Sequence, residues 1–179
     1  MQKKNIILIT AFVGIAALSF KIDGVTGIAF PDLQGETLDG KKVNLPNDTK
    51  GKSTIIALAY SKDAEEYLNS WLTPAYDKFI AKNEIMSYDI NLYFVPMFTG
   101  AHAASVGAAK KSIIKDTDPE LLPYILIYKG DLDKYKTALQ MKEKNVPYIF
   151  VLDKNGKIVY STSGAYTDAK MDAIEDNLD

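Results

Sequence analysis

Apolar residues along the chain gather in short runs separated by polar stretches with helical spacing. Thr54-Ile55-Ile56-Ala57-Leu58-Ala59-Tyr60 is nearly all apolar, which predicts a central strand covered on both faces. Ile90 to Met97 predicts a second strand, and Leu121 to Tyr128 a third that Gly130 stops. Between the first two, Leu68, Trp71, Leu72, Tyr76, Phe79 and Ile80 recur at helical intervals through about Lys82. Ser61 or Asp63 is the expected N-cap, and Pro74 is expected to kink or divide the helix. Further helices are predicted over Ala101 to Lys115, from Asp131 to about Lys142, and from Tyr166 to Leu178 with Thr167 as N-cap.

Two stretches read as hairpins. Tyr148-Ile149-Phe150-Val151-Leu152 and Ile158-Val159-Tyr160 flank Lys154-Asn155-Gly156, where an Asn-Gly pair supplies the positive φ of a tight turn. Asp39-Gly40 marks a smaller hairpin between Leu38 and Pro46. Pro147 cannot donate to a ladder, so it belongs at the entrance of its strand, and a cis Val146–Pro147 bond is expected there. Strands separated by crossover helices and closed by a hairpin predict an α/β fold whose mixed central sheet carries helices on both faces. The length of 179 residues suits one domain, expected over residues 21–179 after a glycine-containing lead-in at Gly24 to Gly27.

Residues 1–20 differ from the rest. Lys3 and Lys4 precede an apolar stretch from Ile6 to Leu18, with small residues near Ala17 and Ser19, the order of a secretory signal peptide. The stretch falls short of the roughly 18 residues that span a bilayer comfortably, which makes an uncleaved membrane anchor the weaker reading. An exported, periplasmic or extracytoplasmic location is the expectation, with membrane proximity through residues 1–20 if they stay attached.

Composition removes several classes of chemistry. There is no cysteine, so a disulfide framework, a thiol nucleophile, a CxxC redox pair, a thiolate metal site and a lipidated cysteine are excluded. All 21 basic residues are lysine and the formal charge is −2, which gives no electrostatic reason to expect nucleic acid. A single histidine, His102, rules out a multi-histidine metal centre. The small-residue stretch from Gly100 to Ala109 lacks the Gly-Lys-Ser/Thr ending of a phosphate-binding loop. No cofactor is expected.

Val146-Pro147 with the Asp153-Lys154-Asn155-Gly156-Lys157 turn resembles the hairpin of the thioredoxin superfamily. Phe30-Pro31-Asp32, Leu38-Asp39-Gly40-Lys41 and Lys50-Gly51-Lys52 ahead of the central strand resemble the entry of peroxiredoxins and of TlpA-type exported thioredoxins. The resemblance runs from about Phe30 to the C-terminus and implies a thioredoxin-like sandwich. It places the family's two redox positions on Asp63 and Glu66, where carboxylates cannot exchange disulfides. A narrower set, Asn69-Ser70-Trp71 with Pro74, Val95-Pro96-Met97-Phe98, and Tyr148 to Lys154 with Gly164, is similar to the thioredoxin-like mitochondrial ATP synthase assembly factors. The N-terminal segment does not match the arginine-rich pattern of a mitochondrial transit peptide.

The resemblance also implies a groove in which an extended peptide pairs with the backbone beside Pro147, a contact that needs no cysteine. Tyr60, Asp63, Glu66, Trp71, Val146 and Pro147 are its candidate residues. Plainer readings stand beside these: Asp63 and Glu66 as solvated residues favouring a helix start, Trp71 as core, Val146-Pro147 as a strand entrance, and His102 as an exposed or capping residue. The expected function is a non-enzymatic, non-redox binder of a protein or peptide partner with an assembly or folding role. The alternatives are a non-thiol enzyme using Asp63, Glu66 or His102, and a structural domain of the envelope.

Overall fold

Strand β3 (Thr54–Ala59) is buried at every position, as its unbroken apolar run requires, and lies inside a seven-stranded sheet of order β2-β1-β5-β4-β3-β6-β7. The computed structural model describes residues 24–81 and 88–178. The signal-like segment 1–20 and the helix end expected near Lys82 lie outside the described residues. β3 pairs in parallel with β4 (Asn91–Thr99) and antiparallel with β6 (Tyr148–Leu152). β6 continues antiparallel into β7 (Ile158–Ser163), with an irregularity at Val151/Leu152. On the other side β4 pairs in parallel with β5 (Leu126–Gly130), and the hairpin of β1 (Leu33–Thr37) and β2 (Lys42–Leu45) joins antiparallel to β5. The sheet is mixed, as expected.

Alternation along the strands assigns the two faces. Ile55, Ala57, Phe94, Ile149 and Val151 face α1 (Lys62–Phe79) and α4 (Asp168–Glu175). Phe98, Ile125 and Ile127 meet Val106, Ala109 and Ile113 of α2 (Val106–Asp116). Ile56, Leu58, Val95, Tyr148, Phe150 and Leu152 point the other way, against Tyr135 of α3 (Asp133–Ala138), Leu139, Met141 and the lead-in residues Val25 and Phe30. Each fully buried Leu, Ile or Phe contributes roughly 1.5–3 kcal/mol relative to exposure, so the core is concentrated where β3 and β6 meet.

Local expectations were met at several ends and missed at others. Ser61 caps α1, its Oγ accepting from the Ala64 N–H at 3.1 Å, and Thr167 caps α4 through the Lys170 N–H. Pro74 does not divide α1, which runs unbroken for 18 residues. The strand expected from Leu121 begins at Leu126, because Asp118 caps a 3-10 turn over Pro119–Tyr124. The helix expected from Asp131 forms only over Asp133–Ala138. Another 3-10 turn, Gly100–Ser105, takes the start of the helix predicted at Ala101.

The cis-proline expectation is corrected. The Val146–Pro147 bond is trans, and the cis bond lies at Leu45–Pro46. Side chains already hold the approach to Pro147: the Tyr148 hydroxyl accepts from the Glu143 N–H at 2.6 Å and donates to the Glu143 carbonyl at 3.0 Å. The chain turns at Lys144–Asn145 and bends at Val146, and a trans peptide delivers Pro147 to the strand entrance.

Candidate functional site

The end of the molecule where β3 gives way to α1 is shaped by two polar side chains. The Tyr60 hydroxyl donates to the Glu143 carbonyl at 2.7 Å, with a longer contact to the Met141 carbonyl at 3.3 Å. Ser61 Oγ donates to the Lys144 carbonyl at 2.8 Å while capping the helix. These bonds pin the segment ahead of Pro147 against the start of α1. The Tyr60 ring stacks on Tyr148 with centroids 6.4 Å apart. Burial, with smaller contributions from Tyr148 and Glu143, pushes the Tyr60 phenol up to about 12.

Beside this junction opens a cavity of about 530 Å³, walled by Tyr60, Ser61, Asp63 and Glu65, by Phe98, Thr99 and His102, and by Lys144 and Asn145. Asp63 and His102 are exposed at its mouth. Glu66 is exposed and faces away from it. Glu65 is the carboxylate that turns inward. Burial raises its pKa, and the facing His102 partly offsets the rise. Helical geometry was the available signal for Glu65: it follows the cap Ser61 by four residues and shares that face with Asn69 and Leu72. Among the described residues no group of three or more His, Asp or Glu side chains could hold a metal ion.

The remaining sequence candidates are divided between this end and the core. Trp71 is buried in the core, its indole N–H donating to the Gly164 carbonyl at 3.0 Å and its ring edge-on to Tyr166 at 5.4 Å. Val146 is half-buried, and among the described residues its N–H and C=O make no hydrogen bond. Pro147 is buried, and its carbonyl accepts from the Gly164 N–H at 2.9 Å. The structure therefore gathers Tyr60 and Asp63 at the mouth, keeps Val146 and Pro147 behind the pinned segment, and removes Glu66 and Trp71 from the cavity.

The family model for the ATP10 protein matches residues 22–177. The chain belongs to the ATP10 protein family. No curated protein sequence matches this ATP10-family chain. Its fold is thioredoxin-like. The N-terminal domain of PilB from Neisseria gonorrhoeae superposes with a TM-score of 0.56 at 19% identity, covering 80% of this chain and 87% of that one. The exposed lipoprotein thioredoxin Etrx1 from Streptococcus pneumoniae gives 0.54 at 21% identity, covering 82% and 99%. A DsbF homologue from Corynebacterium diphtheriae gives 0.53 at 18% identity, covering 88% and 96%. At these identities the likeness is one of fold. The ATP10-family chain differs from a thiol oxidoreductase in the simplest respect, having no cysteine.

Proposed function

We propose that this ATP10-family protein is a non-enzymatic, non-redox assembly factor, exported by its N-terminal segment, that holds a protein partner at the α1 end of its thioredoxin-like domain. The observation that carries this reading is an open cavity of mixed polar and apolar lining beside the β3–α1 junction in a chain with no thiol. Thiol exchange there would need a thiolate, whereas binding needs shape, unpaired polar groups and a fixed frame. Tyr60 and Ser61 supply the frame by tying residues 141–144 to the helix start. Asp63, His102 and Lys144 line the mouth.

A photo-crosslinking residue placed at Lys144 in cells tests the proposal. A discrete protein adduct is expected, lost when Tyr60→Ala and Ser61→Ala release the pinned segment. Turnover of insulin disulfides or of peroxide by the purified protein, with no adduct, would overturn it. Fractionation of cells expressing the full chain checks export, and accumulation in the cytosol would count against that part.

A further inference from the structure

We propose that the slot between α1 and α2 seats an amphipathic helix of the partner, carrying a branched apolar anchor and a lysine or arginine one turn away. This deepens the partner-binding reading and rests on it. The slot, of about 80 Å³, is walled by Leu68 and Leu72 of α1, Ile113 of α2, and Phe94, Pro96 and Ile125 of the sheet, with Glu65, Asn69 and Thr117 at its rim. That is roughly half the cavity volume that holds a benzene ring, room for the end of one aliphatic side chain. Helix α2 has no fully buried residue along its 11 positions, although Val106, Ala109 and Ile113 lean toward the sheet. Apolar surface on that face is still open to a partner.

The electrostatics select the partner's charge. Glu65 lines both the slot and the 530 Å³ mouth, and its carboxylate has no hydrogen bond or ion pair among the described residues. A half-buried carboxylate beside an apolar slot is completed by a cation that arrives with the apolar group. Asp116 and Asp118 line the far cavity, of about 520 Å³, and Asp63 the near one, against Lys62 and Lys144. The trench is acidic on balance.

The backbone selects the partner's conformation. The floor residues Phe94 and Pro96 belong to β4, already paired with β3 and β5, so an added strand finds no free edge. Docking there falls to side chains, the helix-in-groove mode. In a helix, residues one turn apart stand about 5–6 Å from each other on one face, which suits an anchor in the slot and a cation at Glu65. The cavities at either end leave room for the helix to continue.

The test uses synthetic amphipathic helical peptides with leucine anchors one turn apart and flanking lysines, measured against the full-length protein by fluorescence anisotropy. Binding is expected to fall at least about tenfold with Glu65→Gln, with Ile113→Asp, and when the peptide lysines become glutamates. Amide chemical shifts should move at Leu68, Leu72 and Ile113. Equal affinity for the glutamate peptide, or affinity unchanged by Glu65→Gln and Ile113→Asp in folded variants, would overturn the proposal. So would a dimer in sedimentation that Ile113→Asp abolishes, since a second copy would then be the occupant. In cells, a crosslinker at Ile113 should label the same partner as one at Lys144. Adducts from Lys144 alone would sink the slot and leave partner binding standing, and adducts from neither would remove both.

Discussion

Tyr60 acts as a tie between two parts of the chain. Its hydroxyl ties the loop ahead of Pro147 to the helix start, and burial holds its phenol at about 12 against an ordinary 10.0. Burial likewise takes Tyr128 up to about 12, its hydroxyl donating to the Asp131 carbonyl at 2.7 Å. Both phenols bind their protons more tightly in the folded protein than in the unfolded chain. Their contribution is complete below the ordinary value of 10.0 and is lost as pH climbs toward about 12. Urea midpoints measured across that interval should fall, and less steeply in Tyr60→Phe with Tyr128→Phe than in wild type. An equally steep fall in the double variant would assign the loss to other groups. At this scale the sequence offered Ser61 or Asp63 as the cap, and the structure settles on Ser61. The sequence pointed to Glu66 where the structure turns Glu65 inward, because the inward-facing carboxylate depends on where α2 and the Gly100–Ser105 turn lie.

Elements rich in β-branched residues or bounded by Asn-Gly and Asp-Gly were legible, since local chemistry alone specifies them. The two hairpins and the strands β3, β4 and β6 formed as their patterns require. The misplaced boundaries all involve competition between a local signal and its neighbours. Leu121 and Leu122 read as strand until Asp118 and Pro119 wind them into a 3-10 turn, and Pro74 stays inside a helix whose buried face includes Trp71 and Ala75. The β6–β7 turn also carries a tertiary contact that no local pattern reveals. Gly156 has a φ of +81°, and a Cβ there would lie 2.8 Å from Pro46 Cβ. Gly40, at φ +95°, has open space around it. Gly156→Ala should cost about 2–3 kcal/mol and Gly40→Ala about 1 kcal/mol in denaturant unfolding. Equal losses would mean the backbone conformation matters and the Pro46 contact does not.

For the whole molecule, the thioredoxin-like fold stands without any thiol. A thioredoxin-like frame is kept by burial and strand pairing, neither of which depends on the positions now held by Asp63 and Glu66. Both are exposed, Asp63 in the first turn of α1 and Glu66 just beyond it, so Asp63→Cys with Glu66→Cys should fold and close a disulfide at the helix start, with one thiol pKa lowered by the helix terminus. Mass spectrometry after mild oxidation checks this. A pair that stays reduced would show that the frame has drifted too far to restore the bridge. The placement of the redox positions on Asp63 and Glu66 is what the resemblance implies, and the disulfide experiment tests it. The acidic trench beside Asp63 was not legible in the sequence, because it joins α1 to an α2 that begins 27 residues after α1 ends.

The loop between β7 and α4 keeps three consecutive carbonyls on side-chain donors. Lys170 Nζ donates to those of Ser163 at 2.8 Å and Ala165 at 2.9 Å, and the Trp71 indole takes that of Gly164. Burial lowers the Lys170 pKa, yet its exposure is only 9%, and access decides its reactivity. The protein carries 21 lysines and no arginine, so acylation before digestion leaves trypsin only the amines that escaped the reagent. Lys170 should be among the slowest to acylate, and cleavage after it should persist when exposed sites such as Lys62 and Lys144 are already blocked. Peptide mapping over time would then clock each opening of the tethered loop, and labelling of Lys170 as fast as Lys144 would mean that the tether is not closed in solution.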